Sequence, residues 1–254
     1  MIHFVGAGCG AADLITVRGK NLLEQADVII YAGSLVNPAL LEYGKDGCRV
    51  YDSAGMTLEE VLATMLSAEE KGLCTVRLHT GDPCLYGAIR EQMDELDKRA
   101  VPYDYCPGVS AFSGAAAALK MEYTLPEVSQ SVVITRMAGR TPVPERESVR
   151  AFAAHGATMV LFLSAGLLKE TQAELLSGGY QEDTPAAIVY KATWPDEKTC
   201  LCTVSTLAEC ARENGISKTA LIIVGDAVKQ SGYARSKLYD PAFSTGYRPA
   251  KEEP

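Results

Sequence analysis

The segment "VGAGCGAAD", Val5 to Asp13, decides the fold of the first half of the chain. An apolar strand runs into a turn with three glycines, and a helix pattern, "VRGKNLLEQA", begins soon after it. Gly6, Gly8 and Ala11 match the first half of the G-x-G-x-x-G/A turn that grips the phosphates of a dinucleotide. The turn could therefore bind a nicotinamide cofactor, or it could serve a different ligand.

The next strand argues against the nicotinamide alternative. A dinucleotide fold needs a carboxylate at the end of the second strand to bind the ribose. Here "DVIIYAG" ends in Tyr31, Ala32 and Gly33, and Asp27 lies at the opposite end of that strand. The first helix also starts late, with Thr16 as its cap rather than the glycines. Another ligand is therefore favoured.

The remaining chain alternates apolar runs with helix patterns. "CRVYD", "LCTVRL" and "VPYDYC" predict further strands, and Thr57 with Glu60 forms a capping box before a helix that ends at Gly72. Beyond Pro126, five more apolar runs and three helix patterns follow. This rhythm predicts two α/β domains, each a mixed, mostly parallel sheet flanked by helices. We expect the domains at 1–122 and 123–238, followed by a loose tail at 239–254.

Composition narrows the class of protein. The 254 residues carry a net charge of −8, which disfavours a nucleic-acid partner. No apolar run approaches the roughly 20 residues of a membrane span, and the N-terminus does not resemble a signal peptide, so we expect a cytoplasmic protein without a membrane partner. The eight cysteines include no C-x-x-C pair, which favours free thiols over a protein-held metal.

Two further loops sharpen the prediction of a ligand site. "HTGDPCLYGA", His79 to Ala88, follows the fourth strand, and "CPGVSAFSGAAAAL" follows the fifth. Each could be only a tight strand-to-helix turn. In a parallel sheet, however, the carboxyl ends of the strands share one edge, where ligands bind. We therefore expect the three loops to form one pocket.

These segments together resemble the tetrapyrrole methyltransferases, the S-adenosylmethionine-dependent enzymes of cobalamin and sirohaem synthesis. "VGAGCG", "TGDPCLYG", "PGVSA", "PAAIVYKAT" and "ALIIVGDAV" stand in the family's order, and the resemblance runs from Ile2 to about Val228. "YAGSLV" and "TRMAGRTPVPE" are similar to the branch that methylates C-11 of precorrin-4 or cobalt-precorrin-4. Cys9 departs from the family, in which many members have proline there.

The resemblance implies a site in a cleft between the two domains, a tetrapyrrole substrate, S-adenosylhomocysteine as product, and a homodimer. It implies that the glycine turn shapes the substrate trough rather than gripping phosphate. The cofactor-binding positions that it implies are Cys9, Thr80, Gly81, Asp82, Leu85, Ser110, Ala111, Leu163, Ala192 and Ala220. Two alternatives remain: a related tetrapyrrole methyltransferase that acts at another carbon or on another precorrin, and a non-catalytic protein that retains the cofactor pocket.

A few polar residues have candidate roles. The sulfonium methyl group is already activated, so no obligate acid or base is expected, and Asp82 is the only catalytic candidate. Asp82 could instead cap the helix that follows. Arg136 and Arg140 are suited to bind the substrate's carboxylates, or they form a solvated surface patch. His79 could assist proton loss, although a structural histidine at a strand end is the simpler interpretation.

Overall fold

The computed structural model describes residues 1–250, which form two compact units. The first comprises Met1–Ala118 and Lys191–Lys198, and the second comprises Leu119–Tyr190 and the described residues from Thr199 onward. The sequence-based division differs in placing residues 191–198 in the second domain. The structure groups them with the first because Thr193 and Trp194 pack on the glycine turn after the first strand.

The first unit is a parallel five-stranded sheet with helices on its faces. Its strands occur in the order β3-β2-β4-β1-β5, and each neighbouring pair is parallel. The strands are β1 (Ile2–Gly6), β2 (Val28–Tyr31), β3 (Arg49–Asp52), β4 (Thr75–His79) and β5 (Tyr103–Cys106). The helices are α1 (Val17–Gln25), α2 (Leu58–Glu69), α3 (Arg90–Asp97) and α4 (Ala111–Leu119).

Apolar side chains cover both faces of this sheet. Phe4 and Ile30 belong to one buried cluster, whereas Val5 and Ile29 belong to the cluster on the other face. Successive residues of a strand point to opposite faces, so a strand covered on both sides reads as a continuous apolar run. The sheet thus presents its carboxyl edge as the place where polar loops can collect.

Helix starts in the first unit follow the predicted capping residues. Thr16 accepts a hydrogen bond from the Gly19 amide at the start of α1, and Thr57 and Glu60 form the predicted capping box of α2. Asn37 caps a short 3-10 helix, Pro38–Tyr43, which has proline at its first position. Helix α1 therefore begins well beyond the glycine turn, as predicted.

The second unit is a mixed sheet with the order β6-β7-β10-β8-β9. Strands β6 and β7 pair in parallel, but β10 is antiparallel to both β7 and β8. The strands are β6 (Val132–Arg136), β7 (Thr158–Phe162), β8 (Pro185–Tyr190), β9 (Lys198–Thr203) and β10 (Ala220–Val224). The helices are α5 (Val149–Ala153), α6 (Leu168–Gly178) and α7 (Leu207–Glu213).

The two α/β units with flanking helices are confirmed, while the mostly parallel sheet is correct only for the first unit. In the second, helices α5 and α6 link strands that run in one direction, as crossover connections do. Strand β10 then inserts between β7 and β8 in the opposite direction. The apolar run of β10 indicates that both of its faces are buried, but it does not indicate the direction of the strand. The antiparallel insertion could therefore not be predicted from the sequence.

The described part of the tail folds back on itself around Arg248. The Nη2 of this residue donates to the carbonyl oxygens of Leu238, Asp240 and Phe243. Tyr247 remains fully exposed. Predicted tail residues 251–254 lie outside the described residues. Within residues 1–250, no helix combines the length and apolar composition needed to cross a bilayer.

Candidate functional site

Three loops meet at the carboxyl edge of the parallel sheet, as the sequence predicts. The amide of Ala7 donates to the carbonyl of His79 at 2.7 Å. Gly8 and Gly81 exchange two backbone hydrogen bonds, of 3.2 and 2.9 Å, which join the loop after β1 to the loop after β4. The loop after β5 joins them through Gly108. The pocket edge is therefore made largely of backbone.

Glycines allow these loops to touch without side chains between them. A Cβ atom on Gly6 would lie 2.6 Å from Gly108 Cα and 2.7 Å from the carbonyl oxygen of Gly81. A Cβ on Gly108 would lie only 2.2 Å from that same oxygen. Such distances are incompatible with any side chain, so the close approach of the loops requires glycine.

Asp82 fastens two of the loops together. One carboxylate oxygen accepts from the Tyr105 hydroxyl and, at 2.9 Å, from the Cys84 amide. The other accepts from the Gly108 amide at 3.0 Å. Partial burial alone would raise the pKa of this carboxyl, but the hydrogen bonds outweigh burial and hold the pKa below its usual 3.8.

This geometry excludes the helix-cap role considered for Asp82. The carboxylate caps the turn at Cys84, and α3 begins only at Arg90, so it is not the cap of that helix. Since its pKa is depressed, its contribution to stability is present above the unfolded-state value and is lost as pH falls through the folded-state value. Asp82 thus positions the backbone around the site.

The loop after β1 packs on residues 191–198 of the same unit. The Ala11 amide donates to the Thr193 hydroxyl oxygen at 2.9 Å, and that hydroxyl approaches Cys9 Sγ at 3.7 Å. A Cβ on Gly10 would lie 2.5 Å from the Ala192 carbonyl oxygen. Cys9 and Ala192, both predicted cofactor positions, are buried and lie on either side of this contact.

The other predicted cofactor positions of the first unit surround Gly81. A Cβ added to Gly81 would lie 3.4 Å from the Ala111 amide nitrogen and 3.6 Å from Ser110 Cα. Thr80 donates from its hydroxyl to the Leu35 carbonyl at 2.9 Å. Thr80 and Leu85 also line a cavity of about 300 Å³ beside these loops.

Leu163 and Ala220, the remaining predicted cofactor positions, belong to the second unit. Ala220 is the first residue of β10. Leu163 follows β7 with a backbone φ of 52°, a left-handed conformation that is uncommon for leucine, and its side chain is 67% exposed. An exposed apolar side chain on a strained backbone is a feature that functional loops retain.

The two arginines predicted to bind substrate differ in their contacts. Arg136 donates to the carbonyl oxygens of Met137, Thr141 and Pro142, so its guanidinium organises the loop that follows β6. Arg140 lies in that loop and is exposed, and no hydrogen bond or ion pair of its side chain is found within residues 1–250. The structure therefore leaves Arg140 as the more available of the two.

The cavity contains two buried polar residues of β4. Arg77 is 6% exposed and His79 is 4% exposed. Burial, assisted by the charge of Arg77, lowers the pKa of His79 to about 3, so this imidazole is neutral near pH 7 and too weak a base to accept a proton there. Arg77 is not among the residues predicted from the sequence to bind a ligand, although "TVRLH" places polar residues at alternate positions of a buried strand.

The cysteines and acidic residues form no evident metal centre. All eight cysteines are free. Among residues 1–250, no group of three or more His, Cys, Asp or Glu side chains is placed to hold a metal ion.

Comparisons with known proteins agree with this architecture. A sequence model of the tetrapyrrole (corrin/porphyrin) methylases matches residues 1–208. A cobalt-precorrin-4 C(11)-methyltransferase of Methanocaldococcus jannaschii is 52% identical over 97% of this chain and 95% of that protein. One from Priestia megaterium is 48% identical over 97% of both chains.

The fold has a counterpart among solved structures. The crystal structure of a cobalamin biosynthetic enzyme, a cobalt-precorrin-4 methyltransferase, superposes with a TM-score of 0.88 at 48% identity, covering 89% of this chain and 95% of that one. The family model spans well over half of the sequence, and the loops it covers are those that meet at the sheet edge. This chain belongs to the tetrapyrrole (corrin/porphyrin) methylases.

Proposed function

We propose that this protein transfers a methyl group from S-adenosylmethionine to C-11 of cobalt-precorrin-4 or precorrin-4, giving the corresponding precorrin-5 in cobalamin synthesis. The names of its relatives at 52% and 48% identity support this reaction. The structural feature that carries the proposal is the backbone contact among Gly6, Gly81 and Gly108, which forms a small-residue cradle at the sheet edge.

The cradle suits a methyl donor better than a dinucleotide. No carboxylate directly follows β2, and α1 starts only at Val17, so no α-helix begins on the glycine turn. Ser110, Ala111 and Ala192 are small, and they leave backbone amides and carbonyls near the edge. S-adenosylmethionine supplies an activated methyl group on a sulfonium, and backbone carbonyls can approach such a cation closely when no Cβ intervenes.

The chain's own contribution to rate is positioning. Methyl transfer requires the carbon, the methyl group and the sulfur to lie in line, and holding them so lowers the entropic barrier. Asp82 and Tyr105 hold the loop after β4 against the loop after β5, which keeps the cradle at one width. His79 is too weak a base near pH 7 to take a proton from the substrate, because burial lowers its pKa to about 3.

Labelled methyl donor tests the reaction directly. The protein is incubated with methyl-labelled S-adenosylmethionine and precorrin-4, with and without cobalt, and the product is analysed by mass spectrometry and NMR. We expect a gain of one methyl group at C-11. A label at another carbon would indicate a sibling enzyme, and donor binding without transfer would indicate a binder without activity.

Replacing Gly108 tests the cofactor cradle. Gly108→Ala places a methyl group 2.2 Å from the Gly81 carbonyl oxygen, so the loops must separate. We expect calorimetric affinity for S-adenosylhomocysteine to fall by at least about tenfold, roughly 1.4 kcal/mol. Gly55→Ala, where an added Cβ meets nothing within 4 Å, is the matched control. Wild-type affinity in Gly108→Ala, or micromolar binding of NAD instead, would contradict the assignment.

Arg140 tests the substrate patch. Arg140→Ala should leave the affinity for S-adenosylhomocysteine intact and raise the apparent substrate constant about ten- to a hundredfold, since one charge-assisted contact is worth roughly 1.5–3 kcal/mol. Arg140→Lys should recover little, because an ammonium lacks the planar fork. Arg146→Ala, at a side chain that is 86% exposed beside Glu147, is the control. An unchanged substrate constant in Arg140→Ala would make the patch a solvated surface.

The protein acts as a cytoplasmic homodimer in this proposal. Exposed apolar side chains of the second unit, such as Leu201 at 70% and Leu238 at 64%, are consistent with burial in a symmetric interface. Sedimentation velocity at micromolar concentration should give the mass of a dimer of this 27.2 kDa chain. A monomer throughout that range would contradict it.

A further inference from the structure

The central strand of the first sheet carries a polar stripe on one face. In β4, Val76 and Leu78 are fully buried in one apolar cluster, while the alternate residues Thr75, Arg77 and His79 point to the other face. All three polar residues are at most 6% exposed. Such residues are usually excluded from the middle of a parallel sheet, so the stripe calls for a physical reason.

Arg77 is a buried cation without a buried anion. Its Nε donates to Gln92 Oε1 at 3.1 Å and one Nη donates to the Ile30 carbonyl at 3.2 Å. A guanidinium has five N–H donors, so three remain. No carboxylate within residues 1–250 forms an ion pair with it. Burial lowers its pKa only to about 10, so it is charged at neutral pH.

Gln92 fixes the direction of this guanidinium. Its amide nitrogen donates to the Ala88 carbonyl at 2.9 Å, which turns its oxygen toward Arg77. The two acceptors of Arg77, an amide oxygen and a backbone carbonyl oxygen, are both neutral. Burying a charge without a counter-charge raises the free energy of the folded protein. A ligand anion would supply the counter-charge.

His79 adds a second unsatisfied group at the same place. Its ring stacks on Phe4, with centroids 6.4 Å apart, and its buried Nε2 has no hydrogen-bond partner. The nearby Arg77 charge helps to keep the ring neutral, so one ring nitrogen can donate a hydrogen bond. A buried donor without a partner costs free energy that a ligand acceptor would recover.

Both residues line the 300 Å³ cavity, at the small end of the range for ligand pockets. Residues after β2 and β3 and at the start of α2 and α3 form its other walls. Its titratable wall residues besides Arg77 and His79 are Tyr86 and Glu91, both exposed. The volume suits an acidic side chain of a larger ligand rather than a whole macrocycle.

We propose that Arg77 and His79 form a subsite that binds one carboxylate of the acetate or propionate side chains of the tetrapyrrole substrate. The inference rests on the proposed function for the identity of that ligand. The cavity lies on the β2 and β3 side of the sheet edge, whereas the glycine cradle lies at β1, β4 and β5. Thr80 and Leu85, in the loop after β4, border both, so a side chain held here fixes the macrocycle beside the methyl donor.

The first experiment measures binding without methyl transfer. Cobalt-precorrin-4 is titrated by absorbance into wild-type protein and Arg77→Met, and S-adenosylhomocysteine is titrated by calorimetry. We expect tetrapyrrole affinity to fall roughly ten- to a hundredfold and the affinity for S-adenosylhomocysteine to stay unchanged. Arg18→Met, on the exposed face of α1, is the matched control. A loss confined to S-adenosylhomocysteine would mean that the carboxylate is the donor's own, and would overturn the proposal.

Thermal unfolding separates this role from a structural one. Removing an uncompensated buried charge should leave the unfolding midpoint of Arg77→Met at or above that of the wild-type protein. A lower midpoint with unchanged tetrapyrrole affinity would overturn the proposal. His79→Phe keeps the stacking on Phe4 and removes the ring nitrogens, and it should weaken the tetrapyrrole about two- to tenfold. It serves as the second variant if Arg77→Met does not fold.

A probe without a macrocycle distinguishes failure of this subsite from failure of the proposed function. The chain has three histidines, so ¹⁵N-imidazole NMR can follow His79 beside His3 and His155 as internal references. Sodium propionate should shift only His79, propionamide should not, and Arg77→Met should abolish the shift. That result without binding of cobalt-precorrin-4 would reject the proposed substrate and retain the carboxylate subsite. Absence of both responses would reject the subsite.

Discussion

Backbone contact at one edge of the parallel sheet is the constraint on which the first unit depends. Three strands end together, and their loops lie so close that Gly6 and Gly108 have no room for a Cβ beside the Gly81 carbonyl oxygen. Asp82 holds this arrangement with the Tyr105 hydroxyl and two amides. Because backbone and not side chains makes the edge, its shape is insensitive to rotamer changes, which is what orienting a methyl donor requires.

Charge poses a second constraint, because an acidic protein must bind an acidic substrate in the proposed reaction. A net charge of −8 repels a polycarboxylate at long range, so binding must depend on local cations. Two kinds are available. Arg140 is exposed in a loop of the second unit, whereas Arg77 is buried in a cavity of the first, where the low dielectric strengthens each contact. A contact between the exposed Arg140 and a substrate carboxylate is weaker, because water and salt screen it.

Polar groups in the two units have different roles according to their hydrogen-bond partners. The Asp82 carboxylate is satisfied by three donors and is structural in its effect on the loops. Arg136 is likewise occupied by loop carbonyls. Arg77 has N–H donors without a partner, and His79 has a ring nitrogen without one. These unpartnered groups, rather than the residue types, are the reason for proposing that Arg77 and His79 bind a ligand.

The sequence by itself determined the strand–loop–helix rhythm, the caps at Thr16 and Thr57, and the meeting of three glycine loops at one edge. These follow from local rules, since periodicity, capping and parallel connections act over short distances along the chain. Only the tertiary structure decided the antiparallel insertion of β10, because apolar runs carry no direction. It also decided which side chains are already occupied. In the sequence, Asp82, Arg136 and Arg77 can be recognised only as charged residues. Their different roles follow from their hydrogen-bond partners, which the folded structure supplies.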